Sequence, residues 1–425
     1  MRSGLALILR LSANFFFLAL AAVPAVAQTM PTVEFDEAVR RAIEQNPTVA
    51  EAAQNIQRAE ALLRQTKSFV QPFVSAGITN TTLNSERGFN GLVTQPQNQS
   101  AINASVGMPF SLSQWAAVEQ SRDQIEVNTR SAADVRKQIA VTAAEAYLNI
   151  IAARRQVEVT ARALQSARDH LDFAQKRLEG GAGSRLNQLR AAQEASAEEA
   201  RLDAIRLVLR RAQEALGVVM AADGPVDAGS EPVFETATPG DEAEWTAART
   251  DLQFQTSVQR AAERVVRDSW KDQIPTAAVA FNPLYLTPSG LFQPARTWSM
   301  SISASHDIFD GGLRRSNARL REVARDQANL AFTGLKIQAR SEVRIAQDAI
   351  ELLERARANA RQSAEQAVEV LKITTQAFEV GALTNLEVID AQREARDAET
   401  ASALAEDALI RAKFDLLVAL GKFPR

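Results

Sequence analysis

Cysteine is absent from the chain, which excludes disulfides, thiolate metal ligands and thiol nucleophiles, and also a lipid carried on a cysteine at a processed N-terminus. Histidine is nearly absent: His170 and His306 stand alone in the sequence. No Gly-rich phosphate loop or nucleophile motif occurs, and the carboxylates fall at solvent-facing helical spacing, so neither an enzyme nor a cofactor or metal site is expected. Neither sign of charge predominates. The 48 Lys and Arg are interleaved with 51 Asp and Glu, which leaves no basic patch for nucleic acid. Beyond the N-terminal segment, no uncharged run approaches the roughly 20 residues of a helical membrane span.

Proline and glycine are missing from two long stretches, Ser113 to Leu178 and Leu313 to Phe378, apart from Gly334 in the second. Each can run as one helix of about 65 residues, roughly 100 Å at 1.5 Å per residue. The first carries two heptad stripes, an Ala-rich one through Val118, Ile125, Ala132, Ile139, Ala146, Ala153, Thr160, Ala167 and Ala174, and a bulkier one through Ala143, Ile150, Val157, Leu164, Leu171 and Leu178. At an offset of about 200 the second stretch repeats them, in Ala339, Ala346, Leu353, Ala360, Ala367 and Thr374 beside Val343, Ile350, Ala364, Leu371 and Phe378, with Arg357 the one polar interruption. Independent helices would not hold a common register over some forty residues, so the pattern predicts a duplicated helical hairpin. The same stripes would also suit an intracellular coiled-coil rod.

The N-terminus reads as an export signal over residues 1–27: Arg2 and Arg10, an apolar run from Leu11 to Val23, and the small-residue cleavage site Ala25-Val26-Ala27. Within the remainder, helices starting at Val33 and at Asp241-Glu242-Ala243 reach about Lys67 and Lys271, with Asn46-Pro47 a kink or restart in the first. The period then changes to two, over 69–82 and 100–110 in the first half and about 275–282 and 297–308 in the second. Trp298, Met300 and Ile302 alternate with Ser299, Ser301 and Ser303, and Ile102, Ala104, Val106 and Met108 with Asn103, Ser105 and Gly107. A half-buried soluble sheet gives this alternation, and so does an outer-membrane strand with lipid on one face and water on the other. Four strands are fewer than the eight or so of the smallest membrane barrels, so closure in lipid would need several copies of the chain.

Pro109 and Gly311-Gly312 mark the returns from strand to long helix. Gly180-Gly181-Ala182-Gly183 and Gly381-Ala382-Leu383 are tight turns, followed by the N-caps Ser184 and Thr384 and by returning helices ending in Ala-Leu-Gly near 217 and 421. The Pro- and Gly-bearing stretch 218–240 is a linker. The domain reading is therefore a first repeat over 28–217, that linker, and a second repeat over 241–425.

With this order of elements the chain resembles the TolC-like outer membrane efflux protein (outer membrane factor) family over essentially its whole mature length. The residues that carry the resemblance are Asp36-Glu37-Ala38 with Ala42 and Asn46-Pro47, Phe309-Asp310-Gly311-Gly312, and the run from Val380 through Gln392. The resemblance implies a mainly α fold with a small β part, whose two tandem repeats of helical hairpin plus two strands trimerise into a 12-stranded membrane β-barrel on a periplasmic α-barrel. It implies a channel in the outer membrane of a Gram-negative bacterium, extending into the periplasm, the passive exit duct of a tripartite efflux or type I secretion system. Its partners would be a periplasmic adaptor and an inner-membrane pump.

Carried over by position, Glu387 and Asp390 would constrict the closed pore, although Thr384-Asn385-Leu386-Glu387 is also a capping box. Gly181, Leu186, Gly381, Leu383 and Leu386 would be adaptor-contact tips, with the leucines exposed, unless they merely close the turns. Trp298, Met300 and Ile302 would face lipid. The competing expectation is an exported periplasmic coiled-coil structural protein.

Overall fold

The computed structural model describes residues 30–423; the expected export segment lies outside them. In chain order the elements are β1 (Thr32–Val33), α1 (Phe35–Gln45), α2 (Pro47–Ser68), β2 (Phe73–Thr82), β3 (Arg87–Phe89), β4 (Leu92–Gln95), β5 (Asn98–Phe110), α3 (Leu112–Glu179), α4 (Arg185–Val219), β6 (Asp227–Ala228), α5 (Glu242–Ala248), α6 (Thr250–Arg267), a 3₁₀ turn (Ser269–Gln273), β7 (Thr276–Thr287), β8 (Arg296–Ser305), α7 (Leu313–Glu379) and α8 (Asn385–Ala419). The helices α3 and α7 hold 68 and 67 residues, which makes each a rod of about 100 Å. Every residue of both stripes is buried or half-buried in α3 and in α7 alike. Arg357 interrupts its stripe because its guanidinium reaches Glu406 on α8 at 3.2 Å.

The core sits midway along the rods, where the short helices pack. Ala143, Ala146, Tyr147 and Ile150 of α3 meet Leu216 of α4, with Ala38 and Ala42 of α1. At the 200-residue offset, Val343, Ala346 and Ile350 of α7 meet Leu416 of α8, with Trp245 and Leu252 from α5 and α6. A third cluster, Val39, Ala140, Ala144, Leu148, Phe414, Leu417 and Phe423, bolts the repeats together. Burial of the Val, Ile, Leu and Phe side chains among these is worth about 1.5–3 kcal/mol each.

Several expected boundaries move, each for a local reason. The first helix starts at Phe35, because Thr32–Val33 pairs in parallel with Asp227–Ala228. The stretch 218–240 is therefore docked on the body, with Val226 and Ala228 in the core. The helix expected from Asp241 to Lys271 breaks at Arg249 (φ −73, ψ 122). There the buried guanidinium bonds Asp251, Glu342 and the Ala419 carbonyl. This break mirrors the one at Asn46, whose amide donates to the Val219 carbonyl at 2.8 Å.

The strand expected from residue 69 begins at Phe73, since Phe69 still caps α2 in helical geometry. Strand β7 continues past 282 to Thr287, carrying Pro283, where its ladder to β5 skips Ala104 and Ser105; a residue without an N–H is tolerated at such a gap. Strand β8 ends at Ser305, short of 308, because its partner β7 begins at Thr276. Pro109 lies inside β5, and the turn into α3 is made by Ser111, whose hydroxyl accepts from the Gln114 amide at 3.4 Å. The loop at 84–99 holds the hairpin β3–β4, turned by Asn90 (φ 50) and Gly91 (φ 76).

Candidate functional site

Two surfaces stand apart from the core: the sheet at one end of the rods and the hairpin tips at the other. Strand order β2-β5-β7-β8 joins both repeats in one antiparallel sheet. The register brings Val74 and Ile78, Ile102, Val106 and Met108, Val279 and Phe281, and Trp298, Met300 and Ile302 onto one face. None of the described residues covers this face: Ile78 is 77% exposed, Ile302 76% and Trp298 71%. The opposite face carries Ser75, Thr79, Asn103, Ser105, Asn282, Ser299 and Ser301, and the Ser105 hydroxyl donates to Asn282 Oδ1 at 2.7 Å. Phe73 also lies on it, its ring over Gly107, where no side chain stands in the way. Both outer strands, β2 and β8, have an unpaired edge.

At the other end the two turns share one geometry. Gly181 (φ 75) and Gly381 (φ 81) take left-handed backbone, and the following amides, of Ala182 and Ala382, return to the carbonyls of Arg177 and Ala377 at 2.9 and 2.8 Å. Ser184 caps α4 through the Asn187 amide at 3.2 Å. Thr384 caps α8 in the same way, but Glu387 reciprocates, its carboxylate accepting from the Thr384 amide at 2.6 Å and hydroxyl at 2.7 Å. Those bonds, the backbone one foremost, hold the Glu387 carboxyl below the usual range. Asp390, one turn further on, is exposed and makes no hydrogen bond among the described residues. Their counterparts in the first hairpin are Asn187 and Arg190. Leu186 and Leu386 are exposed at the tips, whereas Leu383 is half-buried against the turn, a correction to its expected exposure.

A seam joins the two hairpins just above the tips. Buried His170 on α3 and Asn385 on α8 share a hydrogen bond of 2.8 Å between Nε2 and Oδ1, and the imidazole packs on Phe378 with ring centroids 5.2 Å apart. Burial pushes the imidazole below its ordinary value of 6.5, and the bond to Asn385 opposes this in part. Gln392 donates to the Ser166 carbonyl at 3.1 Å. Further along, Glu194 and Glu198 of α4 are almost wholly buried against arginines of α8. Arg393 clasps both Glu194 oxygens, with a shortest contact of 2.6 Å, and Arg396 bonds Glu198. A buried carboxylate is stable only when paired in this way.

Sequence reading missed this cluster and left His170 without a role, since the partners lie some 200 residues apart and no local spacing relates them. The Asn90-Gly91 dipeptide, by contrast, is a strong hairpin signal that was readable. Among the described residues no helix is long and apolar enough to cross a membrane, and no group of His, Cys, Asp and Glu is arranged to hold a metal ion.

The family model described as "Outer membrane efflux protein" matches residues 38–222 and 251–422. The outer membrane protein OprJ of Pseudomonas aeruginosa is 27% identical over 387 residues, spanning 85% of this chain and 78% of that protein. A membrane protein from Pseudomonas aeruginosa of solved structure superposes with a TM-score of 0.81 at 22% identity, over 92% of this chain and 91% of that one. The CmeC outer membrane channel of Campylobacter jejuni superposes with a TM-score of 0.79 at 16% identity, over 91% and 85%.

Proposed function

Because the chain belongs to the outer membrane efflux protein family, we propose that three copies of it form the outer membrane exit duct of a tripartite efflux or type I secretion system, a passive conduit from periplasm to exterior. The observation that carries this reading is the sheet, apolar over one uncovered face and open at both edges. In lipid each unpaired backbone group costs several kcal/mol, so an open edge is not viable there. Three copies supply twelve strands, β8 of one pairing β2 of the next, within the size range of membrane barrels. The helices support the same assembly: α7 presents Leu330, Ile337, Ile345 and Leu352 bare to solvent, a stripe suited to a neighbouring copy. In this arrangement the rods extend into the periplasm of a Gram-negative cell, and the membrane attachment of a chain without cysteine comes from its sheet.

The tips are the gate. Threefold symmetry sets three Asp390 carboxylates around one axis, where they attract cations and repel one another. Glu387 is tied into its helix cap, so Asp390 is the freer charge. The His170–Asn385 seam and the Glu194–Arg393 and Glu198–Arg396 pairs hold the second hairpin against the first, and opening requires the hairpins to part. Gly181, Leu186, Gly381, Leu383 and Leu386 form the end that meets a periplasmic adaptor, and an inner-membrane pump supplies the energy. The role is conduction, and it calls on no chemical step from these residues.

The test is fractionation followed by reconstitution. The expected outcome is a protein released from membranes only by detergent, running as a trimer on a sizing column and conducting ions in planar bilayers. A water-soluble monomer would overturn the reading in favour of an exported coiled-coil rod.

A further inference from the structure

The two tips are alike in backbone and opposite in charge. Between 176 and 190 the first tip carries Lys176, Arg177, Arg185 and Arg190 against Glu179 alone, three net positive charges. Between 376 and 390 the second carries Glu379, Glu387 and Asp390 with no Lys or Arg, three negative ones. Glu387 serves its own helix cap, but the turns do not require the rest of this contrast, because both rest on a left-handed glycine and a Ser or Thr cap.

Lys176 is paired with Asp172 at 2.5 Å, but the three arginines have no carboxylate partner within the described residues. Arg190 makes no ion pair or hydrogen bond among the described residues, and Arg185 bonds only Gln188. Arg177 is held in place by two aromatic rings, its guanidinium 5.8 Å from the Phe173 centroid and 5.7 Å from that of Phe378. Of its five N–H donors, one reaches the Phe378 carbonyl, at 3.4 Å.

Between the tips lies a cleft of about 340 Å³ lined by Arg177, Gly183, Arg190, Phe378, Leu383 and Leu386, among others. It combines an aromatic floor, apolar walls and two guanidinium groups, one of them fixed by stacking. Arginine at such a place favours a planar carboxylate.

On the conduit reading, we propose that the two tips are docking points of opposite specificity for the helical hairpins of the adaptor. The cleft beside the first tip receives a carboxylate-bearing side chain, and the second tip receives a basic one. Around a trimer the charges alternate at successive tips, so a partner ring displaced by one position brings like charges together. Charge thereby fixes the rotational register of the partner as well as its identity.

The experiment uses the full-length protein purified in detergent and three soluble helical-hairpin probes identical except for Glu, Lys or Gln at the tip. Wild type should bind the Glu and Lys probes more tightly than the Gln probe, and both preferences should shrink as salt rises. Replacing Arg177 and Arg190 by Gln should weaken the Glu probe roughly three- to thirtyfold, as expected for two exposed pairs, and leave the Lys probe unchanged. Glu379→Gln with Asp390→Asn should do the reverse, and Arg190→Lys should retain most of the binding to the Glu probe. Should the double arginine variant fail to fold, the acidic-tip variant and the salt series decide the matter. A Gln probe that binds as well as the charged ones, or variants that weaken both charged probes alike, would overturn the proposal. Bilayer conductance of the same wild-type preparation separates the two levels: a silent protein removes the conduit itself, whereas normal conductance with charge-blind binding removes only the docking specificity.

Discussion

The helices α3 and α7 are nearly equal in length and share one heptad register, yet they live in different surroundings. Within the chain α3 packs against α1, α2, α4, α6, α8, β6 and the 3₁₀ turn, whereas α7 packs against α6, α8, the same turn and Trp245 of α5. The large apolar residues of α3 are accordingly covered, apart from Leu112 and Trp115 at its start, while α7 leaves Leu330 72% and Ile345 65% exposed. The flank itself differs in sequence: Leu330, Ile337, Ile345 and Leu352 stand where the first repeat has Arg130, Lys137, Glu145 and Ala152, so α7 keeps an apolar flank that α3 lacks, uncovered among the described residues. The tips repeat the lesson on a smaller scale, one plan of turn and cap carrying basic groups in one hairpin and acidic groups in the other.

The sharpest way to break the comparison is to charge the bare flank. Ile337→Asp with Ile345→Asp should abolish the trimer, with the sizing column reporting monomer, while helix content by circular dichroism stays near that of wild type; Ile139→Asp, on the half-buried stripe of α3, should instead unfold the chain. A trimer that survives the first pair would mean that α7 is not an interface.

Next in size is the buried cluster between the returning helices. Glu198 is 3% exposed, and its loss strands Arg396, so Glu198→Ala should cost about 2–3 kcal/mol in denaturant unfolding, the range discounted because Arg396 keeps Asp397. Asp203→Ala on the same helix, whose ion pair with Arg206 is exposed, should change stability little.

A smaller effect separates the tips. Asp390→Ala should raise single-channel conductance and lower cation selectivity, and adding Glu387→Ala should extend the change. Arg190→Ala at the equivalent position should leave the conductance as it was. Equal responses from both tips, or none from the double acidic variant, would remove the gate from the second hairpin.

The smallest expected effect is on pH. Burial holds the His170 pKa down, so the unfolded chain binds the proton more readily than the folded one. The seam is at full strength above the ordinary value of 6.5 and weakens as pH falls through the folded value. Open probability should rise on acidification in that window, and His170→Gln, which keeps a donor for Asn385, should flatten the response.

The elements easiest to read were those whose cause is local. Gly181 and Gly381 forecast their turns because only glycine enters left-handed backbone without strain, and Ser184 and Thr384 forecast their caps because the hydroxyl sits three residues from the amide it serves. The apolar alternation at Trp298, Met300 and Ile302 gave the strand face. Arg249 gave no warning: nothing in Ala247-Ala248-Arg249-Thr250 breaks a helix, and the break follows from Asp251, Glu342 and the end of α8 meeting around the guanidinium. The capping box at Glu387 was legible, but the freedom of Asp390 and the half-burial of Leu383 were not, since both depend on what the neighbouring hairpin leaves uncovered.

By itself, the sequence determined the duplication, the length of the rods, the places where the chain reverses and the alternating face of the strands, because each follows from interactions among residues a few positions apart. Tertiary structure decided which carboxylates are buried, which histidine is tied and where α5 gives way to α6. Those depend on groups about 200 residues apart meeting in space, and no periodicity along one strand or helix records what lies beside it.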